Sequence, residues 1–198
     1  MRGNDGDPLL FGGEVTYAAE DAEGISMIPS DHFVRFYNEV FKFLDPRGGL
    51  AGFYREISRH QEMHCLELYR KLGIRGLYEY YLKIRKEENC DIDMKLLDDG
   101  HGIAFHFKFC QSLAKAMDND AGVCQKYCLH CPGWSGPLNR KAGFYYVKDI
   151  GELLVPECRT WVYDRPEPAM AKYRELCDSG LGDRLRVSFS VPENERIV

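Results

Sequence analysis

No apolar run in this 198-residue chain approaches the ~20 residues that a membrane-spanning helix needs, so no membrane partner is expected. Positive charge is not in excess. Lys and Arg number 26 against 31 Asp and Glu, a formal net charge of −5. That balance argues against nucleic acid or an anionic lipid surface as a partner. Met1–Pro8 is polar and acidic with no apolar stretch behind it, which speaks against a secretory leader. Internal repeats and linker-like tracts are missing as well.

What is present is enough for a core: 44% of residues are hydrophobic and 13% aromatic. A length of this order is most economically one domain. Residues 1–30, rich in Gly, Asp and Glu, are expected to form an N-terminal arm, and 31–198 a single α+β domain. Eight cysteines without a leader favour the cytoplasm, where they stay reduced as thiols, metal ligands or nucleophiles. Self-association is left open by the sequence.

Ser30-Asp31 has the character of a helix N-cap, and Phe33, Phe36, Tyr37, Val40, Phe41 and Leu44 follow at helical spacing. A long helix is expected from about Leu50 to Leu72, and a third over Leu77–Lys86. Asp91–Leu97 and Gly102–Phe109 flank an Asp-Gly turn and predict a hairpin. A short helix over Ser112–Met117 comes next, then a Ser-Gly-Pro-Leu-Asn loop after Trp134. Strands are expected at Gly143–Val147, Arg159–Tyr163 and Leu185–Val191, with a helix over Pro166–Cys177. Helices first, then a small, mainly antiparallel sheet with inserted helices, make an α+β fold.

Chemistry-bearing residues concentrate between His101 and Trp134. Cys124, Cys128 and Cys131 stand at C-x3-C-x2-C spacing with His130 among them. On a helix such thiolates could share zinc or an iron–sulfur cluster, with His130 or a distant Cys as fourth ligand. The bland alternative is three small packed thiols. Glu56, His60 and His64 lie at i, i+4 and i+8 of the long helix, with Glu67 beyond, an arrangement that could hold zinc or another divalent metal. Surface pairing with Arg55 and Arg59 is its plain counterpart. Strand alternation puts His106, Lys108 and Cys110 on one face. A helix start and Lys108 could lower the Cys110 pKa, with His106 as base, unless Cys110 is simply buried. Arg159 could fork a substrate carboxylate, and Trp134 is a second candidate substrate contact.

The order Phe-x-Phe-x-x-Cys110, a short helix, then Cys124–Cys131 ahead of a Gly-aromatic strand resembles a bacterial family, the proteins related to L-2-amino-thiazoline-4-carboxylic acid hydrolase. The likeness spans roughly residues 30–165. It implies hydrolytic opening of a thiazoline ring at its amidine-like carbon, yielding an N-carbamoyl amino acid. Cys110 would be the nucleophile or anchor and His106 the proton carrier. The expectation is a hydrolase of a C–N or C–S bond in a small carboxylated substrate. The rival is a non-catalytic module holding metal or ligand at its cysteines.

Overall fold

The computed structural model describes residues 31–60, 63–97, 100–118 and 122–191, with the side chains of 31, 32, 60, 63 and 64 left out. The N-terminal arm and the Ser30 cap lie outside the described residues. The fold is α+β. Seven α-helices and five strands are present among the described residues: α1 (Asp31–Leu44), α2 (Leu50–His60), α3 (Met63–Leu72), α4 (Ile74–Glu87), β1 (Asp91–Leu97), β2 (Gly102–Phe109), α5 (Gln111–Met117), α6 (His130–Ala142), β3 (Tyr145–Asp149), β4 (Cys158–Tyr163), α7 (Pro166–Asp178) and β5 (Leu185–Val187).

The strands form one antiparallel sheet in the order β1-β2-β4-β3-β5. Period-2 alternation divides it into two faces. Ile103, Phe105, Tyr146 and Val162 face a core shared with Tyr69, Ile74, Leu77 and Phe144. Val147 and Tyr163 face Ala169, Tyr173 and Leu176 of α7. A third core joins α1, α2 and α5 through Val34, Phe41, Tyr54, Leu113 and Tyr127.

Some expected elements shift. The long helix is described as two, α2 and α3, with residues 61 and 62 outside the description. The apolar stripe of α1 is rotated: Val34, Asn38 and Phe41 are buried, whereas Phe33 and Phe36 are about 60% exposed. Asn38 explains the rotation, since its Nδ2 donates to Gly122 O at 2.9 Å and its Oδ1 accepts from Cys124 N at 2.8 Å. One fully buried side chain thereby satisfies two backbone groups of the cysteine loop. The expected loop after Trp134 is instead the body of α6. It contains Pro137, and Ser135 Oγ and Asn139 Nδ2 donate to the Cys131 and Ser135 carbonyls. The last strand is ladder-paired only over Leu185–Val187; Ser188 then turns its hydroxyl onto Tyr146 N.

Candidate functional site

Lys148 of β3 is buried, with 6% of its surface exposed. It sits opposite Thr160 of β4, and its Nζ donates to Thr160 Oγ1 and to Cys158 Sγ, both at 3.3 Å. Phe107, the β2 partner of Cys158, has its ring 5.6 Å from the ammonium. From the helical side come Cys110, which precedes α5, Cys128 in the 3-10 turn Tyr127–Leu129, and Cys131 in the first turn of α6. The Cys110 amide is held to the loop between β3 and β4 by donating to Pro156 O at 2.6 Å. Cys110, Cys128, Cys131, Cys158, Lys148 and His130 line a cavity of about 20 Å³. None of the eight cysteines is in a disulfide.

His130 gives the chamber its acid–base character. Its Nδ1 is 2.5 Å from the Tyr127 carbonyl, which can only accept, so Nδ1 carries a proton. Nε2 is then turned to Cys131 Sγ at 3.4 Å. The ring is clamped by Phe41, Tyr127 and Trp134, with centroids 5.8, 4.7 and 4.9 Å away. Burial opposes charge on both partners, and their mutual attraction outweighs it. The Cys131 thiol is drawn down to about 6, and His130 is raised above its ordinary value. Burial also works against the Lys148 charge, but Cys158, Tyr146 and Cys131 hold the ammonium well above its usual range.

The other thiols behave oppositely. Burial, then the Cys131 charge, pushes Cys110 and Cys128 each up to about 12, and burial raises Cys158. Cys110 is therefore not the low-pKa thiol expected of it. The helix behind it is only the seven-residue α5, and Lys108 is turned away to Asp93 at 2.8 Å. His106 does not serve Cys110 either. It is the cross-strand partner of Arg159, on the face opposite Thr160 and Cys158, and its Nε2 meets Glu157 at 2.7 Å. Arg159 is exposed and also pairs with Glu157, at 3.3 Å. Cys110 lies past the end of β2, and the β1–β2 register shifts between Asp91 and Ile92 just before it, so strand alternation does not carry through to Cys110.

The cysteine triplet is divided. Cys128 and Cys131 meet at the cavity, while Cys124 packs into the core of α1, α2 and α5. The 3-10 turn interrupts the helix that would have stacked all three. Among the described residues no group of three or more His, Cys, Asp or Glu is arranged to hold a metal ion. On α2, the Glu56 side chain is 62% exposed and paired with Arg59. The His60 and His64 side chains lie outside the described residues.

A second pocket, of about 220 Å³, adjoins the chamber through the shared residues Tyr127 and His130. Trp134, Tyr37, Gln111 and Lys115 complete much of its wall. Among the described residues, Trp134 Nε1 and Gln111 Oε1 are buried without a hydrogen-bond partner. Sequence reasoning placed His130, Cys128 and Cys131 at the centre but missed Lys148 and Cys158. The available signal was Tyr146-x-Lys148 beside Cys158-x-Thr160, a lysine sharing a strand face with buried residues.

No protein family matches the chain, and neither a curated protein nor a solved structure matches it.

Proposed function

We propose that the chain is a thiol-dependent hydrolase acting on a C–S or C–N bond of a small carboxylated substrate, with Cys131 as nucleophile and His130 as proton carrier. The observation that supports it is the 3.4 Å contact between His130 Nε2 and Cys131 Sγ, with the ring fixed from behind by the Tyr127 carbonyl. A thiolate beside a base oriented by a third group is the arrangement nucleophilic catalysis uses. The thiazoline-carboxylate resemblance supplies the substrate class, and the nucleophile moves from Cys110 to Cys131.

On such a substrate the Cys131 thiolate forms a bond to the amidine carbon. The ring C–S bond breaks, and the departing sulfur takes a proton from His130 Nε2. Water then adds to the same carbon with His130 accepting its proton. The bond to Cys131 breaks, leaving an N-carbamoyl amino acid and the thiolate. The 220 Å³ pocket is the place offered for the substrate, with Trp134 as a donor and Lys115 as the cation for a carboxylate. His130 and Tyr127 stand between it and the sulfur, so movement of that partition belongs to turnover.

The test is hydrolysis of 2-amino-thiazoline-4-carboxylate by the wild type, Cys131→Ser and Cys110→Ser. Loss of turnover in Cys131→Ser with retention in Cys110→Ser is expected. A Cys131→Ser protein that hydrolyses as before, or a wild type inert towards the ring, would reject the reading.

A further inference from the structure

The Cys128-Leu-His-Cys131 spacing is not used by that hydrolysis, and the chamber holds more thiols than one nucleophile needs. We propose that Cys128 and Cys131 form a redox dithiol that reduces hydrogen peroxide, Cys131 attacking and Cys128 resolving. The inference shares with the hydrolase reading the assignment of Cys131 as the reactive sulfur.

Three observations carry it. The first is spacing: residues three apart across a helical turn have neighbouring side chains, and their Cα atoms fall within the roughly 4.4–6.8 Å that a disulfide spans. Cys128 lies in the 3-10 turn and Cys131 in the first turn of α6, both facing one cavity. The second is size. A cavity of about 20 Å³ exceeds the ~10–15 Å³ needed for one water and suits a molecule of two oxygens. A bulky alkyl hydroperoxide does not fit unless the Tyr127–His130 partition moves, the same movement that admits a reducing dithiol. The third is proton supply: His130 Nε2 touches the attacking sulfur, and Nδ1 stays fixed to Tyr127 O. The Lys148 ammonium completes a wall able to stabilise the developing hydroxide.

The steps balance. The Cys131 thiolate bonds to one peroxide oxygen as the O–O bond breaks. The departing oxygen leaves as water with the His130 Nε2 proton, and Cys131 becomes a sulfenic acid. Cys128 sulfur then attacks Cys131 sulfur and the S–OH bond breaks. That hydroxide takes the Cys128 proton and leaves as a second water. Two thiols are oxidised to one disulfide and one peroxide is reduced to two waters. An external dithiol restores the pair.

The experiment treats the reduced full chain with equimolar hydrogen peroxide and maps its peptides. A Cys128–Cys131 disulfide, formed faster than any oxidation of Cys177 in α7 and reversed by dithiothreitol, is expected. In Cys128→Ser a sulfenic acid trapped by dimedone at Cys131 is expected; in Cys131→Ser, no disulfide at Cys128. Cumene hydroperoxide should react at least tenfold more slowly, given the cavity size. A Cys131–Cys158 or Cys131–Cys110 bridge overturns the assignment of Cys128. Oxidation no faster than at Cys177 overturns the activity. Wild-type mapping needs no variant, so the proposal stands or falls even where either mutant misfolds. A chain that hydrolyses the thiazoline without forming this disulfide refutes the dithiol alone; one that forms it without hydrolysis upholds it and refutes the hydrolase.

Discussion

Each side of the sheet at β2 and β4 has a histidine paired with an acid, His106 of β2 on one and His130 of α6 on the other, and the pairs differ in setting. On the outer face His106 and Glu157 are 2.7 Å apart, with side chains 32% and 44% exposed. On the inner side His130 and Cys131 are 3.4 Å apart, and His130 is only 7% exposed. The shorter contact is the weaker device, because water screens it and costs each charge little. The longer one lies where screening is poor, so the proton is displaced from sulfur. The lysines repeat the contrast: Lys108 is paired with Asp93 in solvent, whereas Lys148 is enclosed by Cys158, Thr160 and the Phe107 ring. Distance alone does not rank polar contacts; distance together with enclosure does.

Five changes sharpen or break this contrast. The largest effect is expected from Phe41→Ala. Phe41 is fully buried and stacks on His130 at 5.8 Å, so truncation should cost about 3–5 kcal/mol of unfolding free energy in denaturant titrations. A loss under about 1 kcal/mol would mean the inner wall is not packed as described.

His130→Gln comes next. With its counter-ion gone, burial is left to act on the Cys131 thiol, which should rise to at least the ordinary value of about 8.5, and iodoacetamide labelling at pH 7 should fall by at least about 30-fold. The wild-type rate should rise with pH through a midpoint near the Cys131 value of about 6, since only the deprotonated sulfur reacts. A wild-type midpoint above 8 would place the reactive pair in the same screened regime as the outer face.

Lys148→Met should leave stability within about 2 kcal/mol of wild type, because a buried charge replaced by an apolar chain sheds its desolvation penalty. Cys131 labelling should nonetheless slow several-fold, measured against the unchanged rate of Cys177. The smallest effects belong to the outer face. His106→Gln and Lys108→Ala, neither of which lines the cavity, should each change unfolding free energy by less than about 1 kcal/mol and leave Cys131 labelling untouched. If either slows labelling as much as His130→Gln, the two faces are coupled and the comparison fails.

Elements with a single dominant signal were legible in the sequence. The β1–β2 hairpin, β4 and α7 lie within a residue or two of where alternation, the Asp-Gly turn and Pro166 set them. α6 was not, because Gly133, Gly136 and Pro137 disfavour a helix. Its environment overrides that preference: at Gly133 the helix comes so close to α2 that an added Cβ would lie 3.0 Å from Tyr54. The site was half legible. Spacing marked Cys128 and Cys131, but whether they join Cys124 at a metal depended on one 3-10 turn. The low pKa expected of Cys110 is reversed because helix-start and lysine effects are local expectations, whereas burial is set by the whole fold.

The Asn38 bridge gives the chamber a history. Its two hydrogen bonds reach 84 and 86 residues along the chain, and the chamber closes only with Cys158 paired in β4. Contacts of such long sequence separation form late in folding. Until then the sulfurs stand in water without Lys148 beside them, and the His130–Cys131 contact, local in sequence, lacks the enclosure that gives it strength. A newly made chain thus passes through an interval in which Cys131 has little advantage over its neighbours. The selectivity of the finished protein is acquired at the moment of closure.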